Sequence, residues 1–236
     1  MSDVDSLIWD LPTVKRFCAL VVPKLRDDEV LIALLSARKK YGGVSRSQEN
    51  LVRVILRNND TIINKLRKMA VVGDMYVDIL TKETIPASSM ALYIDLSPKS
   101  TIKAFSLFNK DILQWFYQMS KDANFNKSIF RKMDIKLFSA IHRSNSRTPP
   151  YWIVDIDVKN EKLLKDICKL FNGEVVWISE THSGYHVIVN RNENTGKVMH
   201  KLMKKRLKTV EIFGKDTMTV VPGTLQGGFK VKEVVL

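Results

Sequence analysis

Three carboxylates and one histidine fall at spacings that suit phosphoryl chemistry. The segment Trp152-Ile-Val-Asp155-Ile-Asp157-Val158 alternates apolar and acidic side chains. A period of two is the signature of a half-buried strand. Trp152, Val154, Ile156 and Val158 then share the core face. Asp155 and Asp157 share the other face, roughly 6–7 Å apart by the strand rise. Two carboxylates this close repel unless a cation lies between them. The pair is a candidate divalent-metal platform; the alternative is a solvent-facing strand side that merely carries two acids. In Thr209-Val-Glu211-Ile-Phe213, Val210 and Ile212 take one face and Glu211 the other. Three such acids can hold one or two Mg²⁺ or Mn²⁺ ions beside a triphosphate. The alternative for Glu211 is an exposed acid on an edge strand.

Between these acids lies Glu180-Thr181-His182-Ser183-Gly184-Tyr185-His186. Ser183-Gly184 is turn chemistry, and the N–H groups of such a turn suit a phosphate. His186 is the second residue of the strand that follows and shares its face with Ile188 and Asn190. It can donate to a phosphate oxygen; the alternative is a hydrogen-bonded structural histidine. The two cysteines, Cys18 and Cys168, and the four histidines point away from a disulfide framework and from a zinc module.

The elements that position these residues read as β-α-β-β-α-β. The pattern predicts strands over 151–158, 175–180 and 185–190 and helices over 161–171 and 195–207. Val210–Phe213 and Thr217–Val221 read as a hairpin-like pair across Gly214-Lys215-Asp216. This is the order of split β-α-β units in ferredoxin-like and RRM-like folds, with one strand appended. The first 145 or so residues read as mostly helical. Helices are expected over 11–22, 47–57, 60–69 and 101–119. A strand is expected over 91–96, and 29–40 reads as a short strand or a buried helix start. The polar Ser144-Asn-Ser-Arg-Thr-Pro-Pro150 stretch marks the best boundary. The expectation is an α+β chain with a largely helical lobe over 1–146 and an RRM-like lobe over 147–236, together one bilobed catalytic domain.

The 236 residues are 45% hydrophobic and 27% charged, an ordinary globular balance. No run of 18 apolar residues occurs, so no membrane span is expected. The acidic Met-Ser-Asp-Val-Asp start lacks the features of a secretory leader, which points to the cytoplasm. The formal net charge is +13, with a pI near 9.7. A chain this basic is drawn to polyanions, most often nucleic acid. Residues 101–150 carry nine basic and three acidic side chains, and residues 201–236 carry eight and three. Residues 151–200, with six and seven, are the exception. A nucleic-acid strand is therefore expected on helices flanking the acidic site, over Lys127–Arg147 and Lys201–Lys208. The second stretch holds Lys201, Lys204, Lys205, Arg206 and Lys208.

In order and spacing, these pieces resemble the archaeo-eukaryotic primase superfamily, which includes primase-polymerases of plasmids and viruses. The matching motifs are Asp155-Ile-Asp157, Thr181-His-Ser-Gly184-Tyr-His186 and Val210-Glu211-Ile212. Val220-Val-Pro222-Gly-Thr-Leu-Gln-Gly-Gly228 is similar to the strand end that follows the third acid. Ala91-Leu-Tyr-Ile-Asp-Leu-Ser-Pro98-Lys99 is similar to a strand and turn of the N-terminal module. The resemblance covers roughly residues 90–230. It implies template-directed, divalent-metal-dependent nucleotidyl transfer in DNA replication, in the nucleoid or, for a virus, the host cytoplasm. Asp155, Asp157 and Glu211 would be catalytic and hold Mg²⁺ or Mn²⁺. Thr181, Ser183, Gly184 and His186 would hold the phosphates of an NTP or dNTP. Lys99, Arg143 and Arg147 would contact nucleotide or template. Single-stranded or primed DNA and a helicase or other replication protein are the implied partners. Glu211 departs from the Asp that the family often uses, and neither a zinc module nor an attached helicase domain is expected. The main alternative is a non-catalytic single-stranded nucleic-acid-binding protein on an RRM-like sheet, with Tyr185 and Phe213 as stacking residues. A nicking-type initiator and an inactivated primase core are further alternatives.

Overall fold

Apolar runs of two kinds build the protein, and each kind builds its own sheet. The structure is a computed structural model that describes residues 6–57, 59–73, 75–215 and 217–236. The expected turn residue Asp216 and the N-terminal Met-Ser-Asp-Val-Asp lie outside the described residues. The elements run α1 (Leu11–Val21), β1 (Glu29–Arg38), β2 (Gln48–Leu56), α2 (Asn59–Ala70), β3 (Met90–Ser100), α3 (Thr101–Lys121) and α4 (Met133–Arg143). They continue with β4 (Tyr151–Ile156), α5 (Glu161–Lys169), β5 (Val175–Glu180), β6 (Tyr185–Asn190), α6 (Glu193–Lys205) and β7 (Val210–Phe213). Short strands β8 (Met218–Val220), β9 (Leu225–Gln226), β10 (Phe229–Lys230) and β11 (Lys232–Glu233) follow. The fold is α+β, with six α-helices and two antiparallel sheets among the described residues. No helix among the described residues is long and apolar enough to cross a membrane.

The first sheet has the order β10-β9-β3-β1-β2, with β8 also paired to β3. Its central strand β1 is nearly continuous in apolar residues because both of its faces are covered. Leu31, Ala33 and Leu35 join Phe17 of α1 and Ile62 and Leu66 of α2 in the main core. Val30 and Ile32 pack with Ala104 of α3 and Ile141 of α4. α1 starts where Asp10 accepts hydrogen bonds from the Thr13 amide at 3.3 Å and the Thr13 hydroxyl at 2.6 Å. That side chain satisfies one of the orphan donors of the first turn.

The second sheet has the order β11-β5-β6-β4-β7. Val154, Ile156, Val187 and Val189 face α5 and α6, where they meet Leu164, Ile167, Met199 and Leu202. Ile153, Trp177 and Ile188 point the other way and join the main core. Phe17 meets Trp177 edge-on at 5.4 Å there. The acid-bearing face of β4 is thus turned toward the first sheet.

Three expectations need correction. Within 47–57, Gln48–Leu56 forms strand β2 rather than a helix. Its Val52, Val54 and Leu56 pair in register with Leu35, Ala33 and Leu31 of β1. The N-terminal part is consequently mixed rather than mostly helical. Residues 218–220 do not pair with β7; they cross to the first sheet and pair with Tyr93, Ile94 and Asp95 of β3. The break at Pro149-Pro150 therefore does not divide the chain into two closed lobes, because β8, β9 and β10 belong to the first sheet.

Asp78 ties its own loop to the loop that carries Ser45. Only 1% exposed, it accepts hydrogen bonds from the Ser45 amide and hydroxyl and from the amides of Leu80 and Thr81. These donors, the Ser45 amide foremost, outweigh burial and hold its carboxyl well below the usual range. A depressed carboxyl contributes stability above its unfolded pKa of about 4, and that stability is lost as pH falls. Asp78→Asn should lower the melting temperature by roughly 5 °C at pH 7. The gap to wild type should narrow in melts near pH 3. An equal gap at both pH values would remove the carboxylate from this role.

Candidate active site

Antiparallel pairing sets four side chains in one row across the second sheet. Glu211 of β7 is opposite Asp155 of β4, Asp155 is opposite His186 of β6, and His186 is opposite Ser179 of β5. Residues directly opposite share a face, so the parity expected for Glu211, Asp155 and His186 is met. Asp157 follows on the same face of the chain, and its amide donates to the Thr209 carbonyl at 2.9 Å.

This face forms one wall of a cleft of about 370 Å³ between the sheets. Asp155, Asp157, Thr181, Ser183, His186 and Phe213 line it from the second sheet and its turns. Leu34, Arg38, Lys40, Gln48 and Tyr93 line it from the first. Glu211 is exposed beside Asp155 and is not among the lining residues.

His186 bridges the walls. Its Nε2 lies 3.3 Å from Asp155 Oδ1, and its Nδ1 lies 3.0 Å from the buried Thr219 hydroxyl of β8. With the proton on Nε2 toward the carboxylate, Nδ1 accepts from Thr219. The ring is thereby oriented by a strand of the other sheet and in turn orients Asp155. Lys40 sits near both acids. Burial and the neighbouring Arg38 lower its pKa, and Asp157 and Asp155 partly offset this. Arg38 stands with Tyr93 and Tyr41. Burial acts to lower its pKa, and the two tyrosines outweigh it.

The turn expected to offer amides to a phosphate is largely occupied by its own contacts. The Gly184 amide donates to the Thr181 hydroxyl at 3.2 Å, and the His182 amide donates to Gln226 Oε1 at 2.8 Å. Gly184 is required for another reason. A Cβ there would lie 1.7 Å from the Ile156 carbonyl oxygen, so the turn can lie on the end of β4 only without a side chain. Thr181 and Ser183 remain on the cleft wall.

The other expected contacts are dispersed. Lys99 is fully buried, 3.0 Å from Asp95 and 2.6 Å from Asn145 Oδ1, and does not line the cleft. Its placement in the first sheet makes it an internal counter-ion rather than a nucleotide ligand. Arg143 pairs with Asp111 of α3 at 3.2 Å. Arg147 reaches Glu29 at 3.1 Å and the Lys24 carbonyl at 2.8 Å. Lys201, Lys204, Lys205, Arg206 and Lys208 are all exposed. However, α6 packs on the α5 side of the second sheet, behind the carboxylates, so this basic stretch does not flank the cleft.

Among the described residues, no group of three or more His, Cys, Asp or Glu side chains converges to hold a metal ion. The cleft offers two carboxylates. Mg²⁺ is commonly bound by one or two carboxylates together with substrate phosphates rather than by an all-protein cage. The donor set fits an ion of that kind. Arg38, Lys40 and Tyr93 were not singled out by sequence. The signal was present in Arg38-Lys39-Lys40, three cations directly after an apolar strand. Comparison with known protein families, curated proteins and solved structures finds no match.

Proposed function

We propose that the chain is a DNA primase/polymerase-type nucleotidyltransferase, template-directed and dependent on Mg²⁺ or Mn²⁺. One observation carries the reading: Asp155, Asp157 and His186 face Arg38 and Lys40 across a single cleft, with Glu211 next to Asp155 in the same register row just outside it. The sequence of elements β4-α5-β5-β6-α6-β7, with β4 between β6 and β7, supports an RRM-like split core. When bound, the metal supplies charge stabilisation and alignment for phosphoryl transfer. Asp155 and Asp157 would hold it, with Glu211 alongside. Arg38 and Lys40 face the place where triphosphate charge would collect. Ser183 and Thr181 border the same space. His186 acts as a positioning residue that fixes the Asp155 carboxylate.

The substrates of this reading are an NTP or dNTP and single-stranded or primed DNA, with a helicase or other replication protein as partner. The non-catalytic binding alternative is weakened by the sheet aromatics. Of the two stacking residues it calls for, Tyr185 is 6% exposed and packs under the helices, which leaves Phe213 on the cleft wall. The test is incorporation of labelled nucleotides on primed and unprimed single strands with Mg²⁺ or Mn²⁺. Extended or newly primed products are expected. Strand binding with no product under either metal would overturn the enzymatic reading.

A further inference from the structure

Beside the cleft runs a row of rings with an ammonium group at each end, of which the proposed reaction uses only Lys40. Lys40 Nζ lies 5.2 Å from the centre of the Tyr41 ring. Tyr41 lies 5.0 Å from the His182 ring, with the planes at 53°. His182 meets Phe229 at 6.2 Å and 78°. Lys159 Nζ stands 3.8 Å over Phe229. Four stretches far apart in sequence thus contribute to one row. His182, Lys40 and Lys159 are exposed, and Tyr41 and Phe229 are half-buried.

The row is held in place from below. Gly227 has φ +59, and a Cβ there would lie 2.4 Å from the Tyr41 ring, so glycine lets the β9–β10 turn press on that ring. The His182 amide is fixed by Gln226, itself a lining residue of the cleft. At one end Lys40 also lines the cleft; at the other Lys159 is paired with Glu180 at 2.9 Å. Rings flanked by cations next to a groove are a means by which proteins hold single strands. Bases stack on the rings with little sequence preference, and phosphates meet the cations.

We propose that Lys40, Tyr41, His182, Phe229 and Lys159 form a single-strand platform at the cleft mouth, with bases against His182 and Phe229 and phosphates against Lys40 and Lys159. The platform rests on the proposed function for its role as template path. Its binding chemistry stands on these contacts alone. A phosphate would take the place of Glu180 at Lys159.

The test is fluorescence anisotropy of labelled oligo-dT in EDTA, with the full chain. His182→Ala and Phe229→Ala should each weaken binding by roughly 5- to 100-fold, with the salt slope unchanged. Lys159→Gln should flatten the slope by about 0.7, the share of one single-strand phosphate. The Lys204→Glu/Lys205→Glu double variant, behind the sheet, should cost far less than either ring variant. Affinity within about twofold of wild type in both ring variants would overturn the platform. So would a larger loss from the α6 double variant. Should Phe229→Ala fail to fold, the exposed His182→Ala and Lys159→Gln decide. Free dTTP is the second probe. Ring variants that lose dTTP binding and keep oligo-dT binding would make the row a nucleotide subsite and sink the strand assignment. Because EDTA silences catalysis, the two readings fail separately. A wild-type chain without incorporation, but with the ring effects, loses only the enzymatic reading. Normal incorporation with unaffected strand binding loses only the platform.

Discussion

Replacing Asp155 or Asp157 with Asn should cut nucleotide incorporation by ~10²-fold or more, because charge stabilisation at the reacting phosphate disappears with the metal. The neutral amide keeps the shape of the side chain and removes the charge. Both residues lie on the cleft wall rather than in the core, so melting temperatures should stay near wild type. Glu211→Gln should act in the same direction. Its smaller expected size follows from its exposed position beside Asp155, outside the lining of the cleft. Single-strand affinity in EDTA should be retained in all three variants, which separates loss of chemistry from loss of binding. Near-wild-type incorporation in all three would refute the assignment.

Lys99→Ala should destabilise the protein by about 3–5 kcal/mol, since it leaves a buried carboxylate without its counter-ion. Lys99 and Asp95 have fully buried side chains 3.0 Å apart. Asp95 also accepts from the Ser97 amide at 2.9 Å and from the Thr217 hydroxyl at 3.4 Å. The melting temperature should fall by roughly 10 °C or more. The double variant Asp95→Leu/Lys99→Met, which removes both charges, should recover much of the loss. A Lys99→Ala chain that melts normally but shows a raised KM for nucleotide would restore Lys99 as a ligand.

The second sheet was more legible in sequence than the first, for a physical reason. In β4, β6 and β7 one face meets helices and the other carries Asp155, His186 and Glu211 along with apolar residues of the main core, so alternation around those polar residues records the two environments. Asp155, Asp157, His186 and Glu211 could be placed on one face from parity alone. Strand β2 shows the opposite case. Ser47-Gln-Glu-Asn resembles a helix start, and Leu51, Val52 and Ile55 have helical spacing. The strand forms because β1 offers its edge: Val52, Val54 and Leu56 gain partners there that an isolated helix would lack. Tertiary pairing likewise decides the fate of 218–220, whose local pattern suits a hairpin with β7 as well as pairing with β3. Lys99 was misread because nothing in Ser97-Pro98-Lys99 reports burial. Its partners Asp95 and Asn145 show their role only once β3 and the 144–147 loop meet. Arg38 and Lys40 escaped notice because the acids and the cations stand on different sheets.

The return of residues 218–230 to the first sheet sets the order in which the molecule can be assembled. The Ser97 and Thr217 hydroxyls, 2.7 Å apart, are separated by 120 residues of chain. During synthesis, β3 must wait with one edge bare until nearly the whole second sheet has emerged. Thr219, which orients His186, arrives on the same strand that closes that edge. A nascent chain released short of this point would expose an unpaired apolar strand, a ready template for aggregation. Closure of the sheet therefore also delivers the hydroxyl that orients His186, so an incompletely made chain would lack that contact.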